Sequence, residues 1–154
     1  MKILELIRRS NIEEDKKLKA HYDFFEILLN ELRTREIPSE IISLINQDIE
    51  TLNSFSGSNK DLLKLLRKKQ TEILQLLGKE LKLVRKNHYM TLWMSVGMAA
   101  FGLPMGVLFG LSLGNMAFIG VGLPLGIGLG MAYGATLDKK AQENGKQLEV
   151  EISF

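Results

Sequence analysis

The sequence predicts an all-α protein: a cytoplasmic antiparallel helical bundle, a two-helix transmembrane hairpin and a short C-terminal strand-like tail. Between Lys86 and Asp138, 51 consecutive residues contain no Asp, Glu, Lys or Arg, which is enough for two membrane crossings of about 20 residues each. Before this segment apolar residues recur at helical spacing, and near the end of the chain they alternate with polar ones. We therefore divide the chain into residues 1–87, 88–137 and 138–154.

Composition narrows the class of protein. The 154 residues include no cysteine, which excludes a disulfide framework and a thiolate metal site. Residues 1–59 carry a net charge of −3 and residues 60–86 a net charge of +6, so a basic block lies directly before the apolar segment. The start of the chain carries charges and lacks a continuous apolar stretch, which is untypical of a cleaved signal peptide. We expect insertion from the cytoplasm.

Three amphipathic helices are predicted in residues 1–87. The first follows Asn11, an N-cap residue whose capping-box partner would be Glu14, and it ends before Pro38. The second begins near Ser39. Apolar residues three or four positions apart form the stripes of the two helices: Leu18, Tyr22, Phe25, Leu29 and Leu32, then Ile42, Ile45, Ile49 and Leu52. The stripes fit an intramolecular core or contacts between subunits.

The third helix is predicted to be long. Ser58 can cap its start, and Asp61 favours the positive end of the helix dipole. No proline interrupts the pattern before Pro104, and Gly78 is the single weak point ahead of the apolar segment. We therefore expect one continuous helix from Ser58 to Leu113, about 80 Å long at 1.5 Å per residue.

Glycines organise the apolar segment. It holds 11 of the 14 glycines, and eight of them form two series with four-residue spacing that are offset by 20 residues, an internal repeat. This spacing places each series on one helix face, where glycine lets two backbones approach closely. Each series also contains a proline, and we expect helix kinks at Pro104 and Pro124. The predicted packing residues are Gly102, Gly106, Gly110 and Gly114, then Gly122, Gly126, Gly130 and Gly134.

Aromatic residues stand near the ends of the apolar segment. Tyr and Trp favour the membrane–water interface, so Tyr89, Trp93 and Tyr133 are predicted to be interfacial anchors. The two crossings then cover residues 90–113 and 116–136, with a turn at Gly114 and Asn115 between them. Both flanks are basic and the turn is uncharged, so the positive-inside rule places both termini in the cytoplasm.

The last residues follow a different pattern. Leu148, Val150, Ile152 and Phe154 alternate with polar residues, which is the period of a half-buried strand. No other stretch of the chain has the pattern of a strand partner. An isolated strand leaves backbone groups unpaired, so we expect residues 147–154 to pair with a neighbouring subunit or with the sheet edge of a cytoplasmic protein. A disordered tail is the alternative.

The sequence contains no recognisable catalytic, cofactor or metal motif. Its Gly-x-Gly pairs lack the third glycine and the preceding strand of a dinucleotide-binding loop. We therefore expect neither enzyme activity nor a cofactor. His21 is predicted to be a helix-face residue and His88 an interfacial one. The apolar segment contains no acidic or basic side chain, which argues against a proton-coupled transporter.

A basic run along the third helix continues to the apolar segment. It fits a solvated face that also sets orientation, contact with the anionic headgroups of membrane lipids, or binding of an anionic ligand such as a nucleotide or a short nucleic acid. Aromatic residues do not alternate with the basic ones, so nucleic acid has no direct support. The candidate residues are Arg67, Lys68, Lys69, Lys79, Lys82, Arg85 and Lys86.

Residues 90–140 resemble the bacterial glycine-zipper membrane proteins. The likeness rests on the run Gly102-Leu103-Pro104-Met105-Gly106, which returns as Gly122-Leu123-Pro124-Leu125-Gly126, and on the glycines that continue each series. The resemblance implies close helix packing and often oligomeric channels or membrane-permeabilising assemblies. The layout of the whole chain is also similar to that of membrane effectors of bacterial antiphage systems.

These observations together predict a homo-oligomeric channel or pore of the bacterial inner membrane, gated by its cytoplasmic helical domain. The second resemblance implies an effector in antiviral defense that responds to an anionic nucleotide or oligonucleotide. The alternative is a non-conducting anchor or scaffold that recruits a cytoplasmic partner.

Overall fold

A computed structural model describes residues 2–9, 12 and 15–150 of the chain. The described residues are mostly helical and form two compact units. The first, which we call the helical unit, contains the chain up to Arg85 and again from Leu148. The second, the glycine hairpin, contains Lys86–Gln147.

Three helices form the helical unit: α1 (Lys16–Arg33), α2 (Ser39–Asn53) and α3 (Asn59–Leu76). The carboxylate of Asp15 caps α1, accepting the N–H groups of the second and third helical residues at 3.0 and 3.1 Å. Asn11 and Glu14, the predicted capping box, lie outside the described residues. The predicted cap of α3 is confirmed, because the Ser58 hydroxyl accepts the third N–H of that helix at 3.2 Å.

The predicted apolar stripes form one core. Every stripe residue of α1 and α2 named above is buried, and α1 buries further residues beyond its stripe, including Phe24 and Leu28. The α3 residues Leu62, Leu66 and Ile73 belong to the same core. Burial of each such side chain stabilises the fold by roughly 1.5–3 kcal/mol, so the stripes account for how the three helices associate.

A segment without regular secondary structure, residues 2–9, is fastened to α2 by two asparagines. The Asn46 amide accepts the N–H of Leu4 at 2.9 Å and donates to the carbonyl of Lys2 at 3.0 Å. Asn53, two turns further along α2, makes the corresponding pair of hydrogen bonds at 2.8 and 3.0 Å. These bonds give hydrogen-bond partners to backbone groups that are not paired in a helix or a strand. They also hold residues 2–9 over the core.

The prediction of one continuous helix from Ser58 to Leu113 is wrong. After α3, a π-helical turn (Leu77–Leu81) ends at Lys82, whose φ is 56°, and Asn87 has a φ of 58°. Between these two left-handed residues lies a two-residue strand, β1 (Val84–Arg85). A right-handed helix cannot pass through a residue with positive φ, so each of these residues interrupts it.

The strand-like tail has a partner within its own chain, contrary to the prediction. Strand β2 (Gln147–Leu148) pairs with β1 in a two-stranded sheet. Leu148 and Val150 are 0% and 1% exposed and belong to the core of the helical unit. β1 has only two residues, too few to produce a readable alternation in sequence. Residues 151–154 lie outside the described residues.

The glycine hairpin contains α4 (His88–Gly97), a π-helical turn (Met98–Gly102), α5 (Leu103–Ser112), a 3₁₀ turn (Met116–Phe118) and α6 (Ile119–Glu143). The turn after α5 is confirmed: Gly114 has a φ of 64°, and the side chain of Asn115 accepts the N–H of Ala117 at 2.9 Å. α6 is longer than predicted and continues to Glu143, so residues 138–143 are helical.

Two helical stretches are long and apolar enough to cross a membrane: His88–Ser112 with 25 residues and Met116–Glu143 with 28. Only 22% of the apolar part of the first stretch is buried, and only 17% of the apolar part of the second. The core helix of a water-soluble protein would be mostly buried, so these stretches present apolar surface that the described residues do not cover.

The two prolines lie in different surroundings. Pro104 is the second residue of α5, directly after a π-helical turn in which the Leu103 N–H donates to the carbonyl of Met98, five residues earlier. Proline has no N–H and crowds the preceding turn, and the wider π turn accommodates both properties. Pro124 lies inside α6, which is one uninterrupted helix there. A kink at Pro124 stays a prediction.

The pairing of β2 with β1 makes Leu148 a core residue of the helical unit. We expect Leu148→Ala to lower the free energy of unfolding of this unit by about 2–5 kcal/mol, because it opens a cavity in the core. The measurement is hydrogen exchange of the α1–α3 amides in the full chain. Glu149→Ala, at an exposed position, is the control and should leave exchange unchanged. Equal exchange in both variants would contradict the assignment.

Candidate functional sites

The two glycine series pack against each other. A Cβ atom on Gly122 would lie 2.5 Å from the Cα atom of Gly106, and one on Gly126 would lie 2.5 Å from the Cα atom of Gly102. Cβ atoms in proteins do not approach other atoms this closely, so any side chain would force the helices apart. The order of contacts runs in opposite directions along the two helices, which makes the hairpin antiparallel. This pattern is the close backbone packing that four-residue glycine spacing predicts.

The close contact continues at Gly97, which was not among the predicted packing residues. A Cβ atom there would lie 2.8 Å from the Cα atom of Gly130. Gly97 precedes Gly102 by five residues rather than four, and the π-helical turn (Met98–Gly102) spans that step. A π turn adds one residue per turn, so it keeps both glycines on the same face. The signal in the sequence is the five-residue spacing between Gly97 and Gly102, just before Pro104.

The eight predicted packing glycines are not all equivalent. At the open end of the hairpin a Cβ atom on Gly134 would lie 2.5 Å from the Cα atom of Met90, so this residue packs as predicted. Gly114 instead forms the turn, and a Cβ atom there would meet nothing within 4 Å. Gly120 and Gly128, which belong to neither series, also have open space beside them. The glycines of α6 therefore fall into two groups: some face the partner helix, and Gly120 and Gly128 face away from it.

A buried carboxylate joins the two helices near the start of α4. Asp138 is 6% exposed, and its two oxygens accept the backbone N–H groups of Tyr89 and Met90 at 2.9 and 2.8 Å. The first N–H groups of a helix have no partners within that helix and carry partial positive charge. Asp138 thus caps α4 from α6, across 49 positions of sequence. In the sequence, Asp138 is recognisable only as the first charged residue after the charge-free segment.

The predicted aromatic anchors contact one another or nearby rings. Trp93 and Tyr133 meet edge to face, with ring centroids 4.5 Å apart, and so connect α4 to α6. Tyr89 makes a similar contact with His88 at 5.1 Å. Their placement at a membrane interface stays a prediction.

Two of the seven candidate basic residues are committed to contacts inside the helical unit. Arg67 donates from Nε to Nε2 of His21 at 2.8 Å. The ammonium group of Lys69 lies 2.7 Å from Asp48 and 2.9 Å from Glu72, which raises its pKa above the usual lysine value through these hydrogen bonds. An anionic ligand would have to compete with two carboxylates to reach Lys69, whereas Arg67 is exposed and its neutral partner leaves its charge uncompensated.

The other five basic residues have separate roles. Lys68 and Lys79 are exposed and lie 3.8 and 3.7 Å from acidic residues close in sequence. Lys82 ends the π-helical turn in a left-handed conformation, Arg85 lies in β1, and Lys86 is exposed in the hairpin. The contacts of the seven residues therefore differ, and binding of an anionic ligand or lipid along this run stays a prediction.

His21 is a buried connection between α1 and α3 rather than a surface residue of α1. It is 3% exposed, and its Nδ1 lies 2.9 Å from Oε1 of Gln70, whose amide also donates to the His21 carbonyl at 2.6 Å. Because Nε2 accepts from Arg67, the ring proton of the neutral imidazole resides on Nδ1 and is donated to Gln70. Burial and the Arg67 charge lower the pKa of His21 below its usual value.

Among the described residues, no group of three or more His, Cys, Asp or Glu side chains is arranged to hold a metal ion. Comparisons with protein-family models, with curated proteins and with solved structures find no significant match to this chain. Arguments about function therefore rest on the geometry of the two units.

The glycine contacts predict opposite results for two neighbouring substitutions on α6. Gly126→Leu should destabilise the hairpin by about 3 kcal/mol or more, because the side chain meets the backbone of the other helix. Gly128→Leu is the matched control: it brings the same gain in helix propensity but enters open space. Thermal unfolding in detergent, followed by circular dichroism, measures the difference. Equal melting temperatures would refute close backbone packing in the hairpin.

The His21 contacts predict that the helical unit loses stability in mild acid. The pKa of His21 is lowered in the folded state, so the stabilising neutral form is fully populated above the unfolded value of about 6.5. Stability then falls as the pH drops from about 6.5 through the folded pKa, since the unfolded chain binds more protons in this window.

The measurement is the free energy of unfolding of the helical unit between pH 7.5 and 5.5. His21→Gln should flatten the dependence on pH, whereas His88→Gln, which changes the other histidine, should preserve it. A full dependence in the His21→Gln variant would show that another group is responsible.

Proposed function

We propose that this chain is a bacterial inner-membrane protein whose glycine hairpin crosses the bilayer twice and holds the helical unit in the cytoplasm. The 51-residue stretch without Asp, Glu, Lys or Arg supports the crossing, as does the exposed apolar surface of both helical stretches. The basic residues on both flanks and the uncharged turn support the orientation, with both termini inside.

We further propose that the hairpin acts as a non-conducting anchor and that the helical unit recruits a cytoplasmic partner. The observation that carries this proposal is the direct packing of one glycine series against the other, which leaves no space between the helices of one subunit. Hydroxyl groups on the hairpin also bond to their own helices: Thr91 to the Asn87 carbonyl at 2.9 Å and Thr136 to the Tyr133 carbonyl at 2.7 Å. A single subunit therefore offers no polar path for ions.

A homo-oligomeric channel or pore gated by the helical unit is the second candidate, and an antiphage effector that responds to an anionic nucleotide would be one form of it. Gly120 and Gly128 favour this candidate, because open space beside both would let another helix approach α6 closely. Two crossings cannot enclose a pore, so several subunits around an axis are needed. The left-handed residues Lys82 and Asn87 mean that no continuous helix would carry the gating signal.

Reconstitution separates the two candidates. We expect liposomes that contain the purified chain to show no ion flux above that of empty liposomes, and Gly128→Leu to leave particle size in detergent unchanged. A flux that Gly128→Leu abolishes, together with a reduction in particle size, would replace the anchor with the oligomeric pore. Reporters fused at either terminus should be cytoplasmic and one inserted at Asn115 should be outside. A cytoplasmic reporter at Asn115 would contradict two full crossings.

A further inference from the structure

A groove in the helical unit lies between the end of α1 and the start of α2. Its volume is about 630 Å³, within the usual range for small-molecule sites. Its polar lining includes three basic side chains, Lys2, Arg33 and Arg35, and one acidic side chain, Glu36. The groove contains none of the seven basic residues that the sequence analysis selected.

Arg33 is held in place by neutral partners. One terminal nitrogen donates to the side-chain oxygen of Asn30 at 2.6 Å, and the other donates to the carbonyl oxygen of Leu4 at 2.7 Å. These bonds use two of the five N–H donors of the guanidinium and do not cancel its charge. Arg33 therefore combines a fixed position with donors for an anion, which is the arrangement that recognises carboxylate or phosphate well.

The other two basic residues differ in how much charge they offer. Arg35 lies 2.7 Å from the carboxylate of Glu31, so much of its charge is compensated within the unit. Lys2 is exposed and lies in the segment that the α2 asparagines hold. Lys2 and Arg33 against Glu36 leave a positive surplus, so the polar part of a ligand should be anionic.

The apolar lining is aliphatic. Its accessible part comes from Ile37, which is partly exposed, and Pro38, which is exposed. The lining residues Ile3, Leu32 and Ile42 are buried beneath them. No aromatic side chain is among the described residues that line the groove. A nucleobase is usually held by stacking on an aromatic ring, and this groove provides none. Hydrocarbon groups, in contrast, gain from burial against such side chains in proportion to the area covered.

We propose that this groove binds a small anionic amphiphile, a phosphate or carboxylate group attached to a short hydrocarbon group. The anionic group would contact Arg33 and Lys2, and the hydrocarbon would lie against Ile37 and Pro38. This proposal goes beyond the anchor function and does not depend on whether the hairpin conducts ions. It gives the helical unit a ligand site of its own.

Calorimetric titration of the full chain in lipid nanodiscs tests the proposal, with hexyl phosphate as the probe and empty nanodiscs as the blank. Hexyl phosphate should bind more tightly than inorganic phosphate or hexanol, because each of those lacks one of the two contacts. Adenosine 5′-monophosphate should bind more weakly than hexyl phosphate. Equal affinity for inorganic phosphate, or tighter binding of the nucleotide, would overturn the proposed ligand class.

Variants locate the site. Arg33→Gln should weaken hexyl phosphate binding about 10-fold, as expected for the loss of charge-assisted hydrogen bonds. Lys2→Gln, at an exposed position that the fold does not need, should weaken it about 3-fold. Lys64→Gln removes an exposed charge outside the groove and should change nothing. Wild-type affinity in both groove variants, or no detectable binding by the unchanged protein, would overturn the proposal whatever the ion-flux result.

Discussion

The backbone-to-backbone contact between the two glycine series is the constraint on which the hairpin depends. Where the helices cross, a Cβ atom on Gly122 or Gly126 would overlap the other backbone, so side chains are excluded along the seam. Close approach of the two backbones gains dispersion energy from the many atom contacts that it brings. The π-helical turn before Pro104 contributes to this close contact, because it brings Gly97 onto the helix face that Gly102 occupies. Asp138 then satisfies the N–H groups of α4 where the seam ends.

This packing has a direct consequence for function. A seam that excludes side chains also excludes water and ions, so the inside of one hairpin is closed. The outer surface of the hairpin is rich in large apolar side chains, among them Leu108, Leu111 and Leu129. Such a surface needs lipid or another protein to cover it. The anchor and the oligomeric pore differ in which of these covers the side of α6 that carries Gly120 and Gly128.

The helical unit relies on polar contacts that fix how its parts meet. Asn46 and Asn53 fasten the segment before α1, and His21 with Gln70 and Arg67 joins α1 to α3. Of these, the hydrogen bonds between His21 and Gln70 are buried and would be costly to leave unmade. Two residues of the basic run take part in contacts inside this unit: Arg67 through its hydrogen bond to His21, and Lys69 through its ion pair with Asp48.

The sequence alone determined the features that depend on local periodicity. The apolar stripes of α1 and α2, the cap at Ser58, the turn at Gly114 and the two glycine faces are all readable, because helix geometry repeats every few residues. Only the tertiary structure decided which distant groups meet. The pairing of β1 with β2, the cap that Asp138 provides and the groove around Arg33 leave no periodic trace, since a contact between residues far apart in sequence depends on the position of whole helices. The break at Lys82 was also invisible, because backbone conformation there is set by the chain's return to the core rather than by residue type.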